Sequence, residues 1–103
     1  MKGNITIKYL QEYIKAKDND AECNIYFIKL VEELGELSKA LLSDAPRATE
    51  ENIKGTIEEE IWDVMYYLLA MANKLDIDIE KWIPVKENIN NEKHHNNTVF
   101  DPS

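Results

Sequence analysis

Two acidic stretches of matching spacing, Glu32-Glu33-Leu34-Gly35-Glu36 and Glu59-Glu60-Ile61-Trp62-Asp63, hold the side chains best placed to do chemistry. Each contains a carboxylate pair at i and i+3, Glu33/Glu36 and Glu60/Asp63, preceded by one further Glu. On a helix such a pair shares one face, about 5–6 Å apart. Two such helices packed antiparallel bring four carboxylates together. Each like-charge pair then costs roughly 3 kcal/mol at an effective dielectric near 20. A cluster of that kind persists when some groups protonate or a cation sits among them. Ligation by carboxylate oxygens suits Mg²⁺, with Mn²⁺ as a substitute. The expectation is a divalent-metal site on two helices, with Glu33, Glu36, Glu60 and Asp63 as ligands.

A single Glu-x-x-Glu is common on solvated helix faces, so position on the helix decides its meaning. Viewed down the helix axis, Leu37 and Leu30 fall within a quarter turn of Glu33 on one side, and Glu36 falls within a quarter turn on the other. The carboxylates therefore border the apolar stripe instead of opposing it. Glu60, Val64, Ile57 and Asp63 repeat the arrangement. Like charges half-buried in this way are unfavourable without compensation.

The elements that must position these groups read as helices throughout. Only three Gly and three Pro punctuate 103 residues, and no alternating strand pattern extends far. A first helix is expected over Thr6–Lys17, with Leu10 and Ile14 on one face. Asp18-Asn19-Asp20 ends it, and Asp20 is expected to cap the next helix. That helix should run over Ala21–Ser43 with an apolar stripe of Ile28, Val31, Leu34 and Leu37/Leu41. Gly35 in its middle costs about 1 kcal/mol relative to Ala. Either close packing against a neighbour or room for a ligand would explain it.

Asp44-Ala45-Pro46 breaks the second helix. A short helical segment is expected over Thr49–Lys54, and Thr56-Ile57-Glu58-Glu59 has the form of a capping box. The third helix should span Ile57–Leu75, with Ile57, Ile61, Val64/Met65, Leu68 and Ala72/Leu75 inward. Asp76-Ile77-Asp78 forms a turn, and Asp78 caps a fourth helix over Ile79–Asn91. Pro84 predicts a separate or kinked first turn there. The fold class is all-α: a bundle of about four helices, with the metal site on an αα-hairpin and the core completed by oligomerisation. Residues 1–93 make one domain, and the polar tail 94–103 is expected to be flexible.

A formal net charge of −8 argues against a nucleic-acid polymer or an anionic membrane as partner. A small phosphorylated ligand stays compatible, because a bound divalent cation reverses the local sign. Cys23 stands alone, which excludes an intramolecular disulfide and a Cys-based zinc site. No charged-then-apolar leader and no membrane-length apolar run is present. The expectation is a cytoplasmic protein.

The two acidic motifs resemble those of the all-α nucleoside triphosphate pyrophosphohydrolases, and of MazG-like proteins in particular. Lys29-Leu30-Val31-Glu32-Glu33-Leu34-Gly35-Glu36-Leu37 is similar to that family's first motif, and Glu59-Glu60-Ile61-Trp62-Asp63-Val64-Met65-Tyr66-Tyr67 to its second. The family's later Lys, Asn and basic residue are matched by Lys86, Asn90 and Lys93. Trp62 stands where a smaller residue is usual, and His94 where an aromatic is common. The resemblance covers Ile25 to Lys93.

The resemblance implies Mg²⁺-dependent hydrolysis of nucleoside triphosphates, deoxynucleotides foremost, at the α–β bond. Monophosphate and pyrophosphate would result from metal-assisted attack of water. Direct attack by water is favoured because no Ser, Cys or His is placed as a covalent nucleophile, and a carboxylate not fully engaged with metal, Glu32 or Glu36, would be the base. Lys86, Asn90 and Lys93 would hold phosphates, although i, i+4, i+7 spacing also describes a solvated stripe. Lys29, one turn before Glu33, is either a helix salt bridge or a phosphate contact. Asn73 is either a base-edge or ribose contact or a satisfied interface polar group. Trp62, Tyr66 and Tyr67 read as core or subunit-interface residues before base stacking. A homodimer or homotetramer is expected. The alternatives are a non-catalytic metal-binding helical module, or a related all-α enzyme acting on dUTP, dCTP or phosphoribosyl-ATP.

Overall fold

In the computed structural model, which describes residues 3–95 and 98–102, four helices follow one another. They are α1 (Ile7–Lys17), α2 (Cys23–Leu42), α3 (Ile57–Lys74) and α4 (Ile79–Lys93). Of the expected flexible tail, Asn96, Asn97 and Ser103 lie outside the described residues. No helix is long and apolar enough to cross a membrane among the described residues.

Local chemistry accounts for most of the boundaries. The Thr6 hydroxyl accepts the Tyr9 amide at 3.0 Å and starts α1. Both α2 and α3 end in a left-handed aspartate, Asp44 (φ 55°) and Asp76 (φ 54°). The following amides return to the helix, Ala45 N to Ala40 O at 3.0 Å and Ile77 N to Ala72 O at 2.8 Å. This closes orphan carbonyls at each C-terminus, and Asp tolerates the left-handed region better than most residues.

Three expectations are corrected at this level. Glu22, not Asp20, occupies the N-cap of α2, and no side chain caps it. Thr49–Lys54 is not helical: Thr49 and Asn52 exchange backbone hydrogen bonds at 3.0 and 3.2 Å. The Thr49 hydroxyl takes the Asn52 amide as well, so the segment closes on itself as a turn. Helix α4 runs unbroken through Pro84. As the sixth residue of α4, Pro84 cannot donate to the Glu80 carbonyl and its ring crowds that group, so the helix continues at a local cost.

Helices α2 and α3 form the hairpin, with α1 laid across α3 and α4 resting on α1. The core is small: Ile14, Tyr26, Leu69 and Ala70 are buried, with Trp62, Tyr66, Tyr67 and Met71 packed against them. The α2 stripe does not belong to it. Val31 and Leu68 each keep 50% of their surface exposed, and Ile28, Leu34, Leu41, Ile61 and Met65 are comparably open. The periodicity is real, but within one chain that face has no cover. Consistent with this, the radius of gyration is 16.2 Å, against about 13 Å for a compact domain of 100 residues.

Candidate metal centre

The entry into α3 fixes the acidic end of the hairpin. The Thr56 hydroxyl accepts the Glu59 amide at 3.2 Å. The Glu59 carboxylate reaches back to the Gly55 amide at 2.9 Å, one residue earlier than a capping box would place it. Gly55 is in the left-handed region (φ 77°), which a side chain would strain. With Glu59 committed to the cap, Glu60 and Asp63 turn toward α2.

There, one carboxylate oxygen from each of Glu33, Glu60 and Asp63 lies within 4.8 Å of the others, and all three residues are half-buried. The Glu60 Oε2 atom is buried and has no hydrogen-bond partner. Burial raises the Glu33 pKa above the usual carboxylate value, reinforced by Asp63, Glu60, Glu36 and Glu32. Glu60 is raised by burial and then by Asp63, Glu59 and Glu36, with a hydrogen bond to Glu33 acting in the opposite sense. Asp63 is raised by burial and by Glu59, with Lys54 acting in the opposite sense. Three acids held together in their less acidic state, one with an orphaned oxygen, fit a divalent cation through oxygen ligands.

Glu36 stands outside that trio and is exposed, although its charge reaches Glu33 and Glu60. Glu32 is exposed beside Glu33. Lys29 is exposed one turn earlier, and the ion pairs among the described residues, Arg47–Glu58 and Lys54–Glu59, do not include it. A Cβ built on Gly35 meets nothing within 4 Å, so close packing inside the chain does not explain that glycine.

Other residues lie apart. Asn73 is held by Gln11 near the far end of α3. Lys86 and Lys93 are exposed on α4, and the Asn90 amide donates to Glu87 at 3.3 Å.

A cavity of about 330 Å³ opens beside the carboxylates, lined by Lys17, Glu33, Trp62, Asp63, Tyr66 and Tyr67. Its aromatic wall is braced by edge-on contacts, Trp62–Tyr66 at 6.1 Å and Tyr66–Tyr67 at 5.1 Å between centroids. Behind it, Asp18 accepts the Tyr26 hydroxyl at 2.7 Å and the Tyr66 hydroxyl at 2.9 Å. Burial first, and then the Asp18 hydrogen bond, raises the Tyr66 phenol well above its ordinary value. Sequence reading missed Lys17 and Asp18. Both sit at the C-terminal end of α1, and only the packing of α1 on α3 brings them here.

Comparison with known proteins narrows the family. No family model matches the chain. The crystal structure of iMazG from Vibrio DAT 722 superimposes with a TM-score of 0.77 and 37% identity, covering 86% of this chain and 97% of that one. This chain belongs to the MazG family. A Bacillus-conserved MazG protein described as a nucleotide pyrophosphohydrolase is similar to this MazG-family chain over 98% of both, with a TM-score of 0.63 and 27% identity. The uncharacterized protein YpjD of Bacillus subtilis (strain 168) is 41% identical over 56 residues. That match spans 52% of the MazG-family chain described here and half of YpjD.

Proposed function

We propose that this protein hydrolyses nucleoside triphosphates, deoxynucleotides foremost, to monophosphate and pyrophosphate by attack of water at the α–β bond. The observation that carries the reading is the convergence of Glu33, Glu60 and Asp63, with the orphaned Glu60 oxygen, beside a cavity with an aromatic wall. It is supported by membership of a family with a solved nucleotide pyrophosphohydrolase.

Glu33, Glu60 and Asp63 would hold Mg²⁺, or Mn²⁺ in its place, with Glu36 as a further ligand from the same helix as Glu33. The chemistry a cation held there would supply is Lewis-acid stabilisation of the negative charge that develops on the phosphate in the transition state. Glu32 or Glu36, exposed at the edge of the cluster, orients the attacking water and takes its proton. Lys29 would supply a further phosphate contact, as would Lys86, Asn90 and Lys93, which lie apart from the cluster within one chain. Their basic groups can offer charge-assisted hydrogen bonds to phosphate oxygens. The open stripe of Val31, Leu34, Met65 and Leu68 is covered by a second copy of the chain, in a cytoplasmic homodimer or homotetramer.

Pyrophosphate release from a panel of nucleotides, with Mg²⁺ or Mn²⁺, tests the activity. Turnover of dUTP, dCTP or phosphoribosyl-ATP alone would select the corresponding relative. Release from none would leave a non-catalytic metal-binding helical module. Glu32→Gln should depress kcat while nucleotide binding persists. Normal turnover by that variant would move the base role to Glu36.

A further inference from the structure

Lys17 lies in the last turn of α1, far from both acidic motifs in sequence, yet it lines the same cavity as Glu33 and Asp63. Its ammonium sits 5.0 Å from the Tyr13 ring centroid and 5.3 Å from that of Tyr66. One N–H donates to the Tyr13 hydroxyl at 3.3 Å. Two aromatic faces and one hydrogen bond thus hold a long side chain that would otherwise be free to sample many rotamers.

Among the described residues, Lys17 is the one cation lining the cavity, and no ion pair joins it to Glu33 or Asp63 there. An ammonium held at Tyr13 and Tyr66 thus shares one cavity with Glu33 and Asp63 without an ion pair between them. An anion resolves that arrangement, with one side on a cation held by the carboxylates and the other on the ammonium. Lysine presents three donors as a compact point charge, and one is in use. Lys86 and Lys93 are carried on α4, which rests on α1, and neither lines the cavity.

We infer that Lys17 grips the phosphates of the substrate from the α1 side, in the subunit that supplies the carboxylates. The inference rests on the proposed nucleotide activity for its substrate, but not for its test.

Pyrophosphate binding, followed by calorimetry with Mg²⁺ present, should be weakened about tenfold by Lys17→Met, the loss typical of one charge-assisted hydrogen bond in a partly open site. Lys17→Arg should restore most of it. In turnover, Lys17→Met should raise KM about tenfold for every nucleotide with kcat little changed, the mark of a uniform binding contact. The rise in melting temperature produced by metal should survive the substitution, which separates a phosphate contact from a collapsed site. The inference is overturned if wild-type protein binds no pyrophosphate with Mg²⁺, or if Lys17→Met binds it as wild type does. A KM increase confined to one base would also overturn it, by assigning Lys17 to the nucleobase. If no nucleotide is hydrolysed, the proposed activity falls, and the pyrophosphate measurement alone decides the role of Lys17.

Discussion

Gln11 and Asn73 hold each other reciprocally: the Gln11 Nε2 group donates to Asn73 Oδ1 at 3.1 Å, and Asn73 Nδ2 donates to the Gln11 carbonyl at 2.9 Å. Gln11 also donates to the Ile77 carbonyl at 2.8 Å and accepts the Ile79 amide at 3.2 Å. One buried amide therefore joins α1, the end of α3 and the start of α4. Gln11→Ala leaves several of these groups unpaired and should cost about 1–3 kcal/mol. Chemical denaturation measures it. Asn73→Ala should likewise lower stability and leave KM unchanged. A raised KM at wild-type stability would instead assign Asn73 to the substrate.

Mg²⁺ or Mn²⁺ should raise the melting temperature, because only the folded chain brings Glu33, Glu60 and Asp63 within 4.8 Å. At metal about 100-fold above Kd the linkage contributes about 2.7 kcal/mol. Glu33→Gln and Asp63→Asn should each remove most of the shift. A melting temperature unchanged across millimolar metal would refute the site.

Glu60→Gln should have the opposite effect in metal-free buffer. The folded pKa of Glu60 is raised. Ionisation therefore opposes folding fully above that value, and the penalty vanishes below the unfolded pKa. The variant should melt higher than wild type near pH 7, and the difference should close as pH falls into the carboxylate range. Calorimetric scans of both proteins at several pH values, with chelator present, check that the difference closes.

Glu58 titrates the other way. The Arg47 guanidinium at 2.7 Å, and then the Ala48 amide at 2.9 Å, hold its pKa down to about 2. Its contribution is complete above the ordinary value of 4.5 and is lost as pH falls toward 2. Glu58→Gln should lower the melting temperature at pH 7 by an amount that shrinks steadily below pH 4.5. A pH-independent difference would place the stabilisation elsewhere.

Light scattering at micromolar concentration should give a mass of at least two chains. Val31→Lys, or Met65→Lys, places a charge in the open stripe of α2 and α3 and should yield monomers of reduced stability. Wild-type protein at 12.0 kDa would exclude the assembly.

The helices were legible because their signals are local. Ile14 and Leu10 repeat at helical spacing, while Asp44-Ala45-Pro46 and Asp76-Ile77-Asp78 interrupt it. The carboxylates were legible because they border an apolar stripe. What covers that stripe was not, since periodicity marks a face and says nothing of its partner. Val31 and Leu68 were expected inward and stand half-exposed within one chain. Lys17 and Asp18 were invisible for a related reason. Their roles depend on where α1 crosses α3, and no spacing in the sequence encodes that crossing.

Helix α4 contains no buried residue, and it rests on α1. The bond from the Lys8 amide to Glu80 at 2.7 Å is one of its few ties. Opening of such an element costs a small part of the global unfolding free energy, whereas α3, with Leu69, Ala70 and Ala72 buried, opens only with the whole fold. The protein thus has two tiers of protection. Amide protons on α4 exchange with solvent through fraying that leaves Glu60 and Asp63 in place. Those around Leu69, Ala70 and Ala72 on α3 should be the last to exchange.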